Sequence, residues 1–135
     1  MAGADDGRVS DPLPQPVVER LARLAPDQRS AATAPPGPVL CVAPAGSGKT
    51  TTVVARLAWR VATGADPATV TAMTFNRAAA VELQERADAA LGDLGYGEGS
   101  VRVRTFHALG REVLADGGVD VSRIVDRLEV LQELA

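Results

Sequence analysis

The sequence predicts an α/β fold in which a parallel sheet is flanked by helices. Short apolar runs typical of buried strands occur at residues 39–43 and 70–75, and a third strand is predicted at residues 101–105, where apolar and polar residues alternate with a period of two. Stretches with apolar residues at helical spacing alternate with these runs, and the loops between them are short. A glycine-rich segment, APAGSGKT, stands between the first predicted strand and the helix that follows it. Strands that alternate with helices in this way favour parallel pairing.

Length and composition exclude several other classes of protein. The chain has 135 residues, the usual size of one domain. Its net charge of −3 argues against a module that binds nucleic acid by charge alone. The single cysteine, Cys41, excludes an internal disulfide, and its apolar neighbours predict a small buried side chain. No stretch approaches the roughly 18 apolar residues of a membrane span, so we expect a cytoplasmic protein with no membrane contact.

Two helices are predicted before the glycine-rich segment. Residues 1–16 are acidic and rich in proline, which predicts a flexible tail. Pro16 suits the first turn of a helix, and Pro26 suits the first turn of a second, shorter one. The apolar face of the first helix consists of Val17, Val18, Leu21 and Leu24. Prolines and a glycine at residues 33–38 predict a break before the first strand.

Three further helices are expected along the domain, which we place at residues 17–116. Two of them end at glycines, Gly64 and Gly92. Their apolar faces consist of Val54, Leu57, Ala58 and Val61 in the first and of Ala80, Leu83, Ala87 and Leu91 in the second. A third is predicted over 107–115. Residues 117–135 are expected to form a truncated helical segment that begins a following subdomain.

The segment Ala43–Thr50 has the sequence of a phosphate-binding loop. Its glycines allow successive backbone N–H groups to point into one concavity, and the following helix adds its partial positive charge. Lys49, the only lysine, is predicted to reach the outer phosphates, and the Thr50 hydroxyl is predicted to coordinate Mg²⁺. Lys49 and Thr50 are therefore the predicted catalytic residues. A glycine turn that merely resembles the motif is the alternative.

Gln28 lies a short distance before this loop and can recognise adenine. A glutamine amide can donate to adenine N7 and accept from the N6 amino group. A solvent-facing glutamine is the plainer interpretation of Gln28 alone, and its position ahead of the loop favours the binding role. The predicted nucleotide-binding residues are Gln28, Ala43, Pro44, Ala45, Gly46, Ser47, Gly48, Lys49, Thr50 and Thr51.

Four segments between about residues 24 and 114 carry a family resemblance. They are LAPDQRSAA, CVAPAGSGKTT, TAMTFNRAAAVELQERA and VRTFHALG. In order and spacing the chain resembles the first motifs of UvrD/Rep-type superfamily 1 helicases. The resemblance implies a partial RecA-like P-loop NTPase domain that binds ATP and Mg²⁺ within a 3′-to-5′ DNA helicase or translocase of repair or recombination. The implied partners are single-stranded DNA and the remainder of the helicase, in cis or as a split downstream polypeptide.

The same resemblance implies DNA contacts at the ends of two strands. The implied residues are Phe75, Asn76, Arg77, Thr105, Phe106 and His107. Aromatic rings can stack on bases, and the polar side chains can bind phosphates. Core packing is the alternative for Phe75 and Phe106, and a helix terminus without a ligand is the alternative for His107. The chain departs from the family at Thr51 and Ala78, where relatives often carry basic residues.

The sequence lacks some parts that ATP hydrolysis in this family requires. No Asp-Glu pair follows a strand beyond Leu114, and the arginines of later motifs are absent as well. We therefore expect the 135-residue chain alone to be inactive as a hydrolase. A non-enzymatic nucleotide-binding remnant or regulatory module stays open as an alternative. A small P-loop nucleotide kinase is disfavoured, because TFHAL and TFNRAAAVEL have no place in one.

Overall fold

A computed structural model describes residues 12–122 of the chain. The described elements, in chain order, are α1 (Gln15–Ala22), α2 (Pro26–Ala32), α3 (Lys49–Ala62), β1 (Thr71–Thr74), α4 (Arg77–Gly92), β2 (Arg102–Thr105) and α5 (Phe106–Asp116). A short 3₁₀ turn, Pro67–Thr69, precedes β1. Residues 1–11 of the predicted tail and the predicted terminal helix beyond residue 122 lie outside the described residues.

The two strands form a parallel pair in the register Thr71 with Arg102 through Thr74 with Thr105. Parallel strands require a long crossover connection, and α4 provides it. Because side chains alternate along a strand, Ala72 and its partner Val103 lie on the buried face of the sheet. The described residues therefore have the predicted α/β class, with a parallel sheet and flanking helices.

The hydrophobic core lies between the sheet and the helices α1 to α4. Leu91, Val17 and Val101 are its largest fully buried side chains. Every residue of the predicted apolar face of α3 is buried, and Leu83, Ala87 and Leu91 are buried in α4. Helix α3 is followed by Gly64 with φ of 104°, the left-handed conformation that suits a glycine after a helix end. The helical periodicity predicted these faces correctly except that Ala80 is only partly buried. In α1, Val17 and Leu21 are buried as predicted, whereas Val18 is exposed.

The predicted strand at residues 39–43 is wrong for the structure described here. Residues 38–44 form an extended segment without strand pairing. Leu40 and Val42 are 89% and 87% exposed, and Cys41 is exposed instead of buried. A strand needs a neighbour for its backbone N–H and C=O groups. Within residues 12–122, β1 and β2 pair only with each other, and neither pairs with this segment.

Arginine side chains join the first three helices through backbone carbonyls. Arg56 of α3 donates to the carbonyls of Ala31 and Ala34 at 3.1 and 3.0 Å, at the end of α2. Arg29 of α2 donates to the carbonyl of Leu21 in α1 at 3.0 Å. The last carbonyls of a helix have no partner within it, so these contacts satisfy them. They also hold α2 in a defined position against α3.

No helix among residues 12–122 has the length and apolar character needed to cross a bilayer.

Leu91→Ala should destabilise the protein by about 2–5 kcal/mol, because it leaves a cavity at a completely buried position between α4 and the rest of the core. The measurement is urea denaturation followed by circular dichroism. Val81→Ala is the matched control, since Val81 lies on the same helix and is 58% exposed. Equal costs for the two substitutions would contradict this description of the core.

Candidate functional site

The loop of residues 43–50 leads from the extended segment into α3. Gly46 and Gly48 have φ of 76° and 81°, in the left-handed region. A residue with a side chain pays roughly 1–2 kcal/mol to adopt that conformation. Gly48 is also the residue that immediately precedes the first turn of α3. Both glycines therefore occupy positions whose backbone conformation favours glycine. Gly46 lies with Ala45 at the exposed tip of the loop.

Lys49 lies across the base of this loop. Its Nζ donates to the carbonyl oxygens of Ala43 at 2.9 Å and of Pro44 at 2.8 Å. An ammonium group has three N–H donors, so one remains available to a ligand. Ser47 Oγ is buried and has no hydrogen-bond partner among the described residues. Thr50 is exposed in the first turn of α3. An ammonium and an unpartnered hydroxyl beside a helix N-terminus are a donor set that fits a phosphate group.

The Gln28 amide bridges α2 and the loop. Its Oε1 accepts from the N–H of Ala25 at 3.0 Å, and its Nε2 donates to the carbonyl of Ser47 at 2.8 Å. The approach is close, since a Cβ on Gly48 would lie 2.7 Å from Nε2. A primary amide offers two N–H donors and two acceptor lone pairs. One donor and one lone pair of Gln28 therefore remain for another partner.

An open cavity of about 670 Å³ lies between α2, the extended segment and α3. Gln28 and Lys49 both line it, as do Ala43, Pro44 and Ser47. Thr51 does not. It lines a separate depression with Arg20 of α1 and Asp93, the residue after α4. The structure thus brings five of the ten predicted nucleotide-binding residues to this cavity and leaves Thr51 on the other side of α3. The other four, which lie in the same loop and in the first turn of α3 without lining the cavity, are Ala45, Gly46, Gly48 and Thr50.

The two phenylalanines predicted to contact DNA lie side by side at the end of the sheet. Phe75 directly follows β1, and Phe106 begins α5 directly after β2. Their ring centroids are 5.4 Å apart at an interplanar angle of 61°, an edge-to-face arrangement. Phe75 is 84% exposed and Phe106 is 49% exposed. Both rings are therefore at the surface, and core packing does not account for either.

The polar residues at the same edge begin two helices. The Asn76 side chain accepts from the N–H of Ala79 at 2.8 Å and caps α4. The Thr105 hydroxyl accepts from the N–H of Ala108 at 3.2 Å and caps α5. Arg77, the first residue of α4, and His107, the second residue of α5, are both exposed. All six residues therefore lie at one edge of the sheet.

Sequence reasoning missed three features of these sites. Asn76 and Thr105 cap helices, which their residue types followed by helical runs could have indicated. The bond from Gln28 to the loop had no signal in the sequence, because it joins segments 19 residues apart. Arg56, which lines the cavity and caps α2, was also missed. Nothing in its local sequence distinguishes it from any other arginine of an exposed helix face.

Comparison with known proteins identifies relatives of the chain. A family model for the UvrD/REP helicase N-terminal domain matches residues 24–135. The chain is 44% identical over 102 residues to the ATP-dependent DNA helicase UvrD2 of Mycobacterium tuberculosis, covering 73% of the chain and 14% of that protein. It is 36% identical over 104 residues to DNA helicase II of Escherichia coli, covering 76% of the chain and 14% of that protein.

A further relative is DNA helicase IV of Escherichia coli, 40% identical over 92 residues. That match covers 67% of the chain and 13% of the relative. The chain thus spans about one seventh of the length of the curated proteins that it matches, and the matched part includes the loop and both strand ends.

Proposed function

Since the chain belongs to the UvrD/Rep helicase N-terminal domain family, we propose that it supplies the Mg-ATP-binding part of an ATP-dependent DNA helicase or translocase that acts in repair or recombination. One observation carries the proposal. The loop with two left-handed glycines opens directly into α3, and its lysine shares a cavity with Gln28. The names of the relatives, which are DNA helicases, support the same class of activity.

In this proposal the outer phosphates of ATP bind at the loop. The ammonium of Lys49 would exchange neutral carbonyl partners for charged phosphate oxygens, which accept shorter and stronger hydrogen bonds. The backbone N–H groups at the start of α3 add donors and the partial positive charge of the helix. The Thr50 hydroxyl would contribute one ligand to Mg²⁺, and phosphate oxygens and water would contribute the others.

Adenine is proposed to bind on the α2 side of the same cavity. Gln28 lines that wall and keeps one N–H and one lone pair free of intramolecular bonds. Those two groups are what recognition of the adenine edge requires. The nucleotide-binding role predicted for Thr51 has less support, because Thr51 lines the depression beside α1.

Single-stranded DNA is proposed to bind at the sheet edge where β1 and β2 end. The exposed ring of Phe75, backed by Phe106, offers a face on which a base can stack. Arg77 and His107 are exposed beside the rings, and the N-termini of α4 and α5 add partial positive charge. With a net charge of −3 for the whole chain, binding rests on this local arrangement.

Hydrolysis in this family uses an acidic pair that follows a strand, and within residues 12–122 neither β1 nor β2 is followed by such a pair. Among residues 12–122, no cluster of three or more His, Cys, Asp or Glu side chains is placed to hold a metal ion. We propose that the chain contributes nucleotide binding, and that the carboxylates and arginines for phosphoryl transfer come from the rest of a helicase.

Lys49→Ala should raise the Kd for Mg-ATP roughly 10- to 100-fold, the value of a hydrogen bond to a charged group. Titration with a fluorescent ATP analogue in the presence of Mg²⁺ measures it. Arg86→Ala is the control for loss of one positive charge, because Arg86 bridges Glu82 on the exposed face of α4. If Lys49→Ala and wild type bind with equal affinity, the ATP site is elsewhere.

Phe75→Ala should weaken single-stranded DNA binding by about 1–3 kcal/mol, the contribution of one stacked base. Fluorescence anisotropy with a labelled oligonucleotide at low salt measures it, and affinity should fall as salt rises. Tyr96→Ala is the control, since Tyr96 is another exposed aromatic, located after α4.

Asn76→Asp separates helix capping from the DNA contact. Asp caps about as well as Asn, so stability should be retained. Its carboxylate would repel phosphates, so DNA affinity should fall. Unchanged DNA affinity in both Phe75→Ala and Asn76→Asp would place the DNA site away from this edge.

The 135-residue chain by itself should release phosphate from ATP only at a background rate, with or without single-stranded DNA. Helicase-like turnover, about 1 s⁻¹ or faster, would require stabilisation of the transferring phosphoryl group. A continuous phosphate-release assay on the purified chain measures the rate, with Lys49→Ala as the control for contaminating ATPases. Turnover at that level that disappears in Lys49→Ala would show that the chain is a complete enzyme.

A further inference from the structure

We infer that Gln28 is a positioning residue for the phosphate loop, in addition to any contact that it makes with adenine. The inference rests on the proposed Mg-ATP site and assigns Gln28 a separate role within it. Gln28 belongs to α2, and its side chain reaches the loop across 19 residues of sequence to donate to the carbonyl of Ser47 at 2.8 Å.

The bond orients the peptide group between Ser47 and Gly48. A peptide group is planar and trans, so its C=O and N–H point in opposite directions. When the carbonyl of Ser47 points at Gln28, the N–H of Gly48 points away from α2. That N–H is one of the donors at the turn into α3. Gln28 therefore determines the direction of a backbone donor in the phosphate loop.

The contact between Gln28 and the loop is close enough to be displaced by a side chain at position 48. A Cβ at this position would lie 2.7 Å from Gln28 Nε2, closer than real Cβ contacts allow. By contrast, a Cβ on Gly46 would meet nothing within 4 Å, although Gly46 is left-handed as well. The φ of 81° is what favours glycine at this position, and a Cβ there would push the Gln28 amide away from the loop.

The geometry leaves Gln28 itself well anchored. Its Oε1 accepts from the N–H of Ala25 at 3.0 Å, at the start of α2. At the other end of α2, Arg56 of α3 holds the carbonyls of Ala31 and Ala34. Because both ends of α2 are fixed by these contacts, the Gln28 side chain can restrict the conformation of the loop. A glutamine on a mobile surface would move together with the loop and would not restrict it.

The energetic consequence appears in ligand affinity. Without the bond from Gln28 to Ser47, the empty loop also adopts conformations that do not bind phosphate. The apparent Kd then equals the intrinsic Kd divided by the fraction of molecules whose loop is competent to bind. One hydrogen bond is worth a factor of about 2–10. A ligand without a base isolates this effect, since it cannot contact Gln28 through adenine. Inorganic tripolyphosphate with Mg²⁺ is such a ligand.

The experiment compares tripolyphosphate and ATP binding to Gln28→Met and wild type by isothermal titration calorimetry. Methionine has a similar length and no amide. The matched control is Gln84→Met, because Gln84 also donates to a backbone carbonyl, of Val101, and accepts from a backbone N–H, of Val103. Gln84→Met loses the same two kinds of hydrogen bond as Gln28→Met, and in addition a bond from Gln84 Nε2 to Asp88 Oδ1 at 2.9 Å. Only Gln28 touches the loop. If Gln28→Met does not fold, Gln28→Ala replaces it in the experiment, because alanine is a strong helix former and is suited to α2.

The expected result is a Kd for tripolyphosphate about 2- to 10-fold higher in Gln28→Met and unchanged in Gln84→Met. An unchanged Kd for tripolyphosphate with weaker ATP binding would overturn the inference, because Gln28 would then act on the base alone. Equal weakening in both variants would overturn it as well, as a general loss of stability. Absence of tripolyphosphate and ATP binding in wild type would remove the proposed function together with the inference.

Discussion

The parallel pairing of β1 with β2 is the constraint on which the rest of the described structure depends. In the observed register, Ala72 and Val103 face the core and Thr74 lies beside Thr105. A slip of one residue would turn Val103 towards solvent, so burial specifies the register. Parallel strands also end at the same edge of a sheet. Whatever follows β1 must therefore lie beside whatever follows β2, which is how Phe75 and Phe106 come into contact.

The phosphate loop depends on helix contacts instead of sheet contacts. The extended segment before the loop has no strand beside it within residues 12–122, and its side chains are largely exposed. The loop is joined to α2 by Gln28, and α2 is joined to α3 by Arg56. Each contact uses a long polar side chain that donates to a backbone carbonyl. The proposed nucleotide site is thus organised by α2 and α3, while the proposed DNA site is organised by the sheet.

Helices were predicted well because their signals are local. The buried faces of α3 and α4 follow the 3.6-residue period. Helix α4 ends at Gly92, and α3 ends at Ala62, two residues before Gly64. The prediction of a strand at residues 39–43 was wrong because an apolar run indicates only that burial of its side chains is favourable. Whether such a run becomes a strand depends on a neighbour with free backbone groups, and local sequence contains no information about that neighbour.

The sequence by itself determined the residue types at both candidate sites and the positions of the helices that present them. A lysine, glycines and a hydroxyl at this spacing predict phosphate binding wherever the loop lies in the fold, because the donors come from these residues themselves. Only the tertiary structure decided which of these side chains are already engaged. It places Gln28 on the loop, makes Asn76 and Thr105 helix caps, and leaves Phe75 exposed. Such contacts join groups far apart in the chain or compete with a ligand for the same atoms, so they are settled by packing and not by local sequence.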